Sequence, residues 1–276
     1  MNKLDTKTRA RIVAALVEGC SIRATVRMTG ASKNTIAKLL VELGTACSNY
    51  MEKTLVNLPC KRLQVDEIWS FVYAKQKNTK PEHFADGKHA GDVWTWIAID
   101  ADTKLIPCFM IGRRDPETAR DFMEDLAGRL ANRVQLTSDG LKCYLTAVKA
   151  AFGNDIDFAQ LVKIYGEIDT EGQRHCSPAT CIGCESHVVT GTPDPKHINT
   201  SYIERQNLTL RMHNRRFTRL TNAFSKKIEN HLASLAIHYA HYNFVRIHQT
   251  IRVTPAMAAG VTSRLWSIED LVEILG

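Results

Sequence analysis

Three strands in a row, then helix and strand in alternation behind a short helical module, predict an α/β protein. The expected core is a mixed five-stranded sheet with helices, preceded by an all-α helix-turn-helix unit. Three observations lead there: two-residue apolar alternation from Arg62 to Ile111, helical apolar spacing before and after it, and acids set in the middle or at the end of strands. With 276 residues, 44% hydrophobic and 24% charged, the chain can bury one large core plus a smaller module, and a disordered chain is excluded. A net charge of +7 favours an anionic partner, nucleic acid ahead of membrane, since there is no apolar run of membrane-spanning length and no lipidation motif. Glu18 and the arginines interrupt the apolar start and make it a poor signal peptide, so the expected setting is cytoplasmic and nucleoid-associated. Eight cysteines, scattered except for Cys176, Cys181 and Cys184, fit reduced thiols better than a disulfide scaffold.

Residues 1–46 read as three helices. The first carries Ile12, Ala15 and Leu16 and stops at Gly19; the second opens at Ser21 and ends at Gly30. The third opens at Ser32 and turns Ile36, Leu39, Leu40 and Leu43 inward. Ser32, Lys33, Asn34, Thr35 and Lys38 then face outward near its start, as in a helix-turn-helix whose second helix enters a major groove. Residues 47–61, ended by Pro59, read as a linker.

The expected core, residues 62–245, begins with RLQVDEIWSFVY. It sets Leu63, Val65, Trp69 and Phe71 on one side against Gln64, Asp66, Ile68 and Ser70 on the other. Asp66 in mid-strand must meet water, a cation or a donor, because an unpaired buried carboxylate is costly. Glu67 points to the other face and is set aside. DVWTWIAID and TKLIPCFMI follow as a hairpin turning at Ala101 and Asp102. Asp115 and Pro116 start a helix with Ala119, Phe122, Met123, Leu126 and Leu130 inside. Val134–Thr137 is a short strand ending at Ser138-Asp139-Gly140, where α/β folds present functional side chains. A helix closing at Gly153 and a fifth strand, Phe158–Tyr165, complete a ribonuclease-H-like order. That order puts the middle of the first strand beside the end of the fourth, and so Asp66 beside Asp139.

A Cys-containing insert at about 168–199 precedes NTSYIERQNLTLRMHNRRFTR, in which Glu204 is the single acid among Arg205, Arg211, Arg215, Arg216 and Arg219. Asn207 and Arg211 share its helical face. Three converging carboxylates suit a pair of hard divalent cations, magnesium with manganese as substitute, in phosphoryl transfer. Cys176, Cys181, Cys184 and His187 have spacings compatible with a structural zinc site, the alternative being unligated cysteines in an ordered loop. Residues 246–276 read as a C-terminal helical extension, with Arg246, His248 and Arg252 as further phosphate-contact candidates.

Taken together, VDEIW, LTSDG, SYIERQNLTLR and YNFVRIHQTIRVTPA, with the helix-turn-helix before them, resemble a bacterial insertion-sequence transposase of the DDE type, closest to the insertion-sequence-one family. The resemblance covers nearly the whole chain and implies catalytic and metal-holding roles for Asp66, Asp139 and Glu204. It implies contact with the transposon end for Arg211. It further implies double-stranded DNA as substrate, at transposon ends and target, cleavage by water to free a 3′-hydroxyl, strand transfer by that hydroxyl, and a homodimer or larger synaptic assembly. Two alternatives are a helix-turn-helix regulator without catalysis and a nuclease of the same fold that does not join strands.

Overall fold

The computed structural model describes residues 4–87, 89–166, 181–219 and 221–276. Its N-terminal helices start where short polar side chains can take up the free N–H groups of a first turn. Asp5 caps α1 (Thr6–Val17), Ser21 caps α2 (Ile22–Thr29) and Ser32 caps α3 (Lys33–Thr54). Gly30 ends α2 in the left-handed region at φ 73°. Residues 47–54, expected in a linker, are instead the last turns of α3. Ile36, Leu40, Leu43, Cys47 and Met51 keep the helical period across that boundary, and all are buried.

The sheet has six strands in the order β3-β2-β1-β4-β5-β6. β1 (Arg62–Val72), β2 (Gly91–Asp100) and β3 (Phe109–Gly112) form the antiparallel half. β4 (Gln135–Ser138) runs parallel to β1, and β5 (Asp157–Tyr165) parallel to β4. The expected count of five is corrected by β6 (Cys181–Thr190), which arises inside the expected insert and pairs antiparallel with β5. β3 is shorter than expected because Asn243 clamps the backbone of Ile106, donating to its carbonyl at 2.9 Å and accepting its N–H at 3.0 Å.

Helices cover both faces. On one, α4 (Pro116–Gly128) and α5 (Cys143–Phe152) bring Phe122 and Tyr144 against Trp96 of β2. On the other lie α6 (Ser201–His213) and α7 (Ile228–Ala240), with Tyr239 against Phe109 at 4.8 Å between ring centroids. Trp69 and Phe71, expected on one side of β1, pack against each other at 5.7 Å between ring centroids, Trp69 exposed and Phe71 half-buried. Trp69 lies beyond the helical cover, under the ammonium of Lys75.

α3 packs directly on α7, so the N-terminal helices and the sheet share one core. The contact is close at Gly44, where an added Cβ would lie 2.4 Å from Ala233. The chain ends in α8 (Pro255–Ala258) and α9 (Ile268–Glu273). Ser267 and Asp270 form a capping box at the start of α9, which docks on α1 through its buried Leu271 and Val272.

Candidate active site

Alternation along β1 sends Gln64 and Asp66 toward α6, and Val65 and Glu67 toward α5. Gln64 does the work of a cap for α6. Its Oε1 accepts the N–H groups of Tyr202 and Ile203 at 2.9 and 3.0 Å, whereas Thr200, the residue at the cap position, makes no such bond. Farther along, Asn207 donates Nδ2 to Asp66 Oδ2 at 2.7 Å. Ile203, Asn207 and Leu210 form the buried stripe of α6, and Glu204 stands beside it at the edge of a cleft.

Asp139 arrives from the neighbouring strand. Gln64 of β1 pairs with Thr137 of β4, so two residues farther on Asp66 and Asp139 are level. β4 has ended at Ser138, leaving Asp139 free to turn; its Oδ1 accepts the N–H of Leu141 at 3.0 Å. Gly140 keeps the turn tight, since a Cβ there would meet Val162 at 3.1 Å.

One carboxylate oxygen from each of Asp66, Glu67 and Asp139 lies within 4.8 Å of the others. Glu67 was set aside because it points to the opposite face, and here the structure corrects the expectation. It does face α5, where Tyr144 donates to it at 3.1 Å and Arg114 at 2.8 and 2.7 Å. Yet once β4 stops, both faces of β1 open onto the same gap, and Glu67 reaches the cluster from behind.

Glu204 lines the same cleft, of about 740 Å³, with Asp66, Asp139, Arg114, Lys142 and Lys163. It is not a member of the tight cluster. Its Oε1 accepts from Lys163 Nζ and from Thr200 Oγ1, each at 2.5 Å.

The electrostatics are those of crowded acids. Burial, then the charges of Glu67 and Asp139, push the Asp66 carboxyl up to about 7, against the opposing N–H of Glu67. Burial, then Asp139, raises Glu67 to about 6, held down partly by Arg114. A divalent cation would relieve both. The donor set is all oxygen, which suits magnesium or manganese. Asn207 adds a buried Oδ1 with no hydrogen-bond partner among the described residues, beside its bond to Asp66. That orphan acceptor fits a site completed by a cation and its water.

Other expected residues divide into those left free and those already engaged. Asn207 was expected on DNA but is buried against Asp66. Ser32 Oγ caps α3 through the Thr35 N–H. Lys33, Asn34, Lys38, Arg205, Arg219, Arg246 and Arg252 are exposed, and Thr35, Arg211, Arg215 and His248 half-buried. Arg211 lies near Asp66: burial and Arg219 lower its pKa while the Asp66 charge works the other way.

Arg216 donates Nε to Ser225 Oγ at 2.9 Å and lines a second groove, of about 790 Å³. Its other basic lining residues are Arg23 and Lys33 from the N-terminal helices and Arg215, Lys226 and Lys227 from the α6–α7 connection, and no acid lines it. Burial lowers Arg216 to about 10, which leaves it charged at neutral pH.

Of the four expected zinc ligands, Cys176 lies outside the described residues. Cys181 and Cys184 sit on β6 with sulfurs 4.0 Å apart. His187 lies 3.7 Å from Glu185, and no metal-sized group among the described residues joins it to the two thiols. Glu67 was weighed in the sequence and set aside for its face, although the adjacency of two acids in mid-strand was a signal; Gln64, Arg114 and Lys163 were given no site role there and carried no such signal.

No protein-family model and no curated protein matches the chain. Among solved structures it is similar to the piggyBac transposase in a cryo-EM synaptic complex with hairpin DNA. The identity is 10% and the TM-score 0.39, over 100% of this chain and 71% of that one. It is also similar to the Mos1 strand transfer complex, at 9% identity and TM-score 0.23 over 87% and 78% of the two chains. For a pre-cleavage Mos1 transpososome the values are 8%, 0.23, 87% and 79%. Among the described residues no helix is long and apolar enough to cross a membrane.

Proposed function

We propose that this protein is a divalent-metal-dependent DNA transposase of the DDE type, akin to the insertion-sequence-one enzymes. It would cleave at transposon ends and join the freed 3′-hydroxyl to target DNA. The observation that carries the reading is the meeting of Asp66 on β1 with Asp139 just past the end of the adjacent β4, 73 residues apart in sequence, with Glu204 on the wall of the same cleft.

Asp66, Asp139 and Glu204 would hold magnesium or manganese, with Glu67 supporting from behind. Bound there, the cations supply a more acidic attacking oxygen and charge neutralisation at phosphorus. Asn207 fixes the Asp66 carboxylate, and the Asp139 turn holds the second acid at a set height. Arg114 holds Glu67 in place and offsets part of the burial that raises its carboxyl. Arg211 and Lys142 supply positive charge where a phosphodiester must enter an acidic cleft.

Residues 1–46 are assigned to end recognition, with Lys33, Asn34, Thr35 and Lys38 reading the groove. The basic groove beside them would carry flanking DNA backbone, and Arg205, Arg246, His248 and Arg252 a further stretch. Joining two ends to one target calls for at least two copies of the chain. Zinc held by Cys181 and Cys184 at the start of β6 is proposed as a structural site.

The test is a cleavage and strand-joining assay on DNA carrying the repeats that flank the gene, with Mg²⁺ or Mn²⁺. Wild type is expected to cleave and join without a covalent protein–DNA link, and Glu204→Gln to bind DNA without cutting it. Binding without cleavage by wild type would leave a DNA-binding regulator; cleavage without joining would leave a nuclease.

A further inference from the structure

Three basic side chains line the cleft, and two of them, Arg114 and Lys163, are paired with its acids. Arg114 engages Glu67 through two nitrogens at 2.8 and 2.7 Å, and its guanidinium lies over the Trp94 ring at 4.9 Å. Lys163, from β5, engages Glu204 through a single ammonium, shared with the Thr200 hydroxyl on the same oxygen. The two attachments differ in kind. Arg114, itself 41% exposed, is clamped on a carboxylate that is only 1% exposed, whereas both members of the other pair are open, Lys163 at 31% and Glu204 at 42%. The next residues of β5, Ile164 and Tyr165, are exposed as well. A flexible ammonium on an open wall exchanges partners readily, and a stacked, doubly bonded guanidinium does not.

Charge then decides how much the cleft can hold. Asp66, Glu67, Asp139 and Glu204, fully ionised, are four negative charges facing the three positive charges of Arg114, Lys142 and Lys163. One divalent ion already takes the group past neutral. A second would add two more positive charges, and Oε1 of its carboxylate, Glu204, is taken by Lys163 and Thr200. The second ion and the lysine compete for that carboxylate, unless a phosphate arrives to take the lysine.

We propose that Lys163 is a positioning residue that reserves Glu204 until DNA enters, then moves its ammonium to a phosphate oxygen and so frees Glu204 for the second cation. This rests on the reading of the cleft as a metal-dependent phosphoryl-transfer site. No bond is made or broken in the exchange; one ion pair, Lys163–Glu204, is traded for two, lysine–phosphate and Glu204–cation. The consequence is that two-ion occupancy is coupled to substrate, and a DNA-free enzyme is kept from holding a complete metal pair.

The test counts Mn²⁺ bound to the full chain by electron paramagnetic resonance, with and without a short DNA duplex carrying the flanking repeat. Wild type should bind one ion without DNA and two with it. Lys163→Met should bind two in either case, its DNA-free second site roughly tenfold or more tighter than in wild type. Lys163→Arg, which keeps the charge, should restore the dependence on DNA. Glu204→Gln should bind one ion in all conditions. Melting temperatures identify a variant that has not folded, and the wild-type comparison with and without duplex stands independently of any variant. Two ions in DNA-free wild type, or a Lys163→Met titration within twofold of wild type, would overturn the gate alone. Mn²⁺ binding no stronger in wild type than in Asp139→Asn would overturn the metal-site reading and the gate with it.

Discussion

Asn207 on α6 donates to Asp66 on β1 across 2.7 Å, and the same two elements are joined two residues earlier on the strand by Gln64, which receives the first N–H groups of the helix. A strand and a helix far apart in sequence are thereby locked in register, and the register sets where Glu204 stands. Removing one lock should loosen the site without dismantling the sheet.

Gln64→Leu leaves two N–H groups at the start of α6 unsatisfied in a buried setting. It should destabilise the protein by about 1–3 kcal/mol in chemical denaturation and lower cleavage by displacing Glu204. Asn207→Leu should cost a similar ~1–3 kcal/mol and weaken Mn²⁺ binding, while DNA affinity stays near that of wild type. A loss of DNA affinity equal to that of an exposed arginine variant would return Asn207 to the DNA-contact set.

The two glutamates should separate by phenotype. Glu67→Gln breaks a buried ion pair with Arg114 and a bond from Tyr144, so it should lower stability by roughly 1–3 kcal/mol as well as activity. Glu204→Gln, on the open wall of the cleft, should abolish cleavage and leave the melting temperature within about 2 °C, the scale of a surface substitution. Equal stability losses would contradict the different burial of these side chains.

Asp66 and Glu67 should give the metal-free protein a component of stability that falls as pH rises from about 4 to about 7, opposed by the buried histidines His231 and His238, lowered to about 3, and His241, lowered to about 4. Asp66, raised to about 7, and Glu67, raised to about 6, hold more protons folded than unfolded in that window, so each rise in pH favours the unfolded chain. Their contribution is present below the ordinary carboxylate range and lost as pH climbs through the raised values. Asp66→Asn should remove the Asp66 part of this component, so its stability relative to wild type should increase from pH 4 to pH 8 and its melting temperature at pH 8 should be higher, by roughly 2–4 °C per kcal/mol of repulsion removed. Saturating Mg²⁺ should remove the component from wild type as well. A stability difference between Asp66→Asn and wild type that does not change with pH would show that the acids are not crowded.

The basic groove should report itself through salt. Lys226→Glu and Lys227→Glu, on its rim, should weaken DNA binding and reduce the dependence of log affinity on log salt by about one unit of slope per lost phosphate contact. Mn²⁺ binding in the acidic cleft should not change. An unaltered salt slope would remove this groove from the DNA path.

Gly44→Val tests whether the N-terminal helices and the sheet form one body. The added carbon would press on Ala233 at 2.4 Å, and overpacking of this kind costs about 1–3 kcal/mol. A single, cooperative unfolding transition shifted downward is expected. Loss of only an early, minor transition would instead indicate an independent N-terminal unit.

Much of the frame was legible because its signals are local. Caps at Ser21, Ser32, Asp115 and Ser267 depend on one side chain and the turn that follows it. The alternation of β1 and β2 depends on which face each residue meets, and the order of strands and helices is enough to put Asp66 beside Asp139. Where local signals ran out, the expectations failed in understandable ways. α3 continued past residue 46 because α7 offers its apolar positions a surface to bury against. β6 formed from a stretch without clear alternation because β5 offers it an edge to pair with, and backbone hydrogen bonds ask little of side chains. Asn207 shares the helical face of Glu204, and spacing cannot tell a side chain that faces DNA from one that holds an aspartate.

The amino-acid sequence by itself determined the helices, the principal strands and the acids available for chemistry, since each follows from residues a few positions apart. Tertiary structure alone decided that Glu67 joins the cluster, that Gln64 caps a helix 138 residues away, and that Lys163 holds Glu204. Those relationships depend on where β4 stops and on how α6 lies across β1. They are settled by the packing of distant segments, whose partners cannot be read from spacing along the chain.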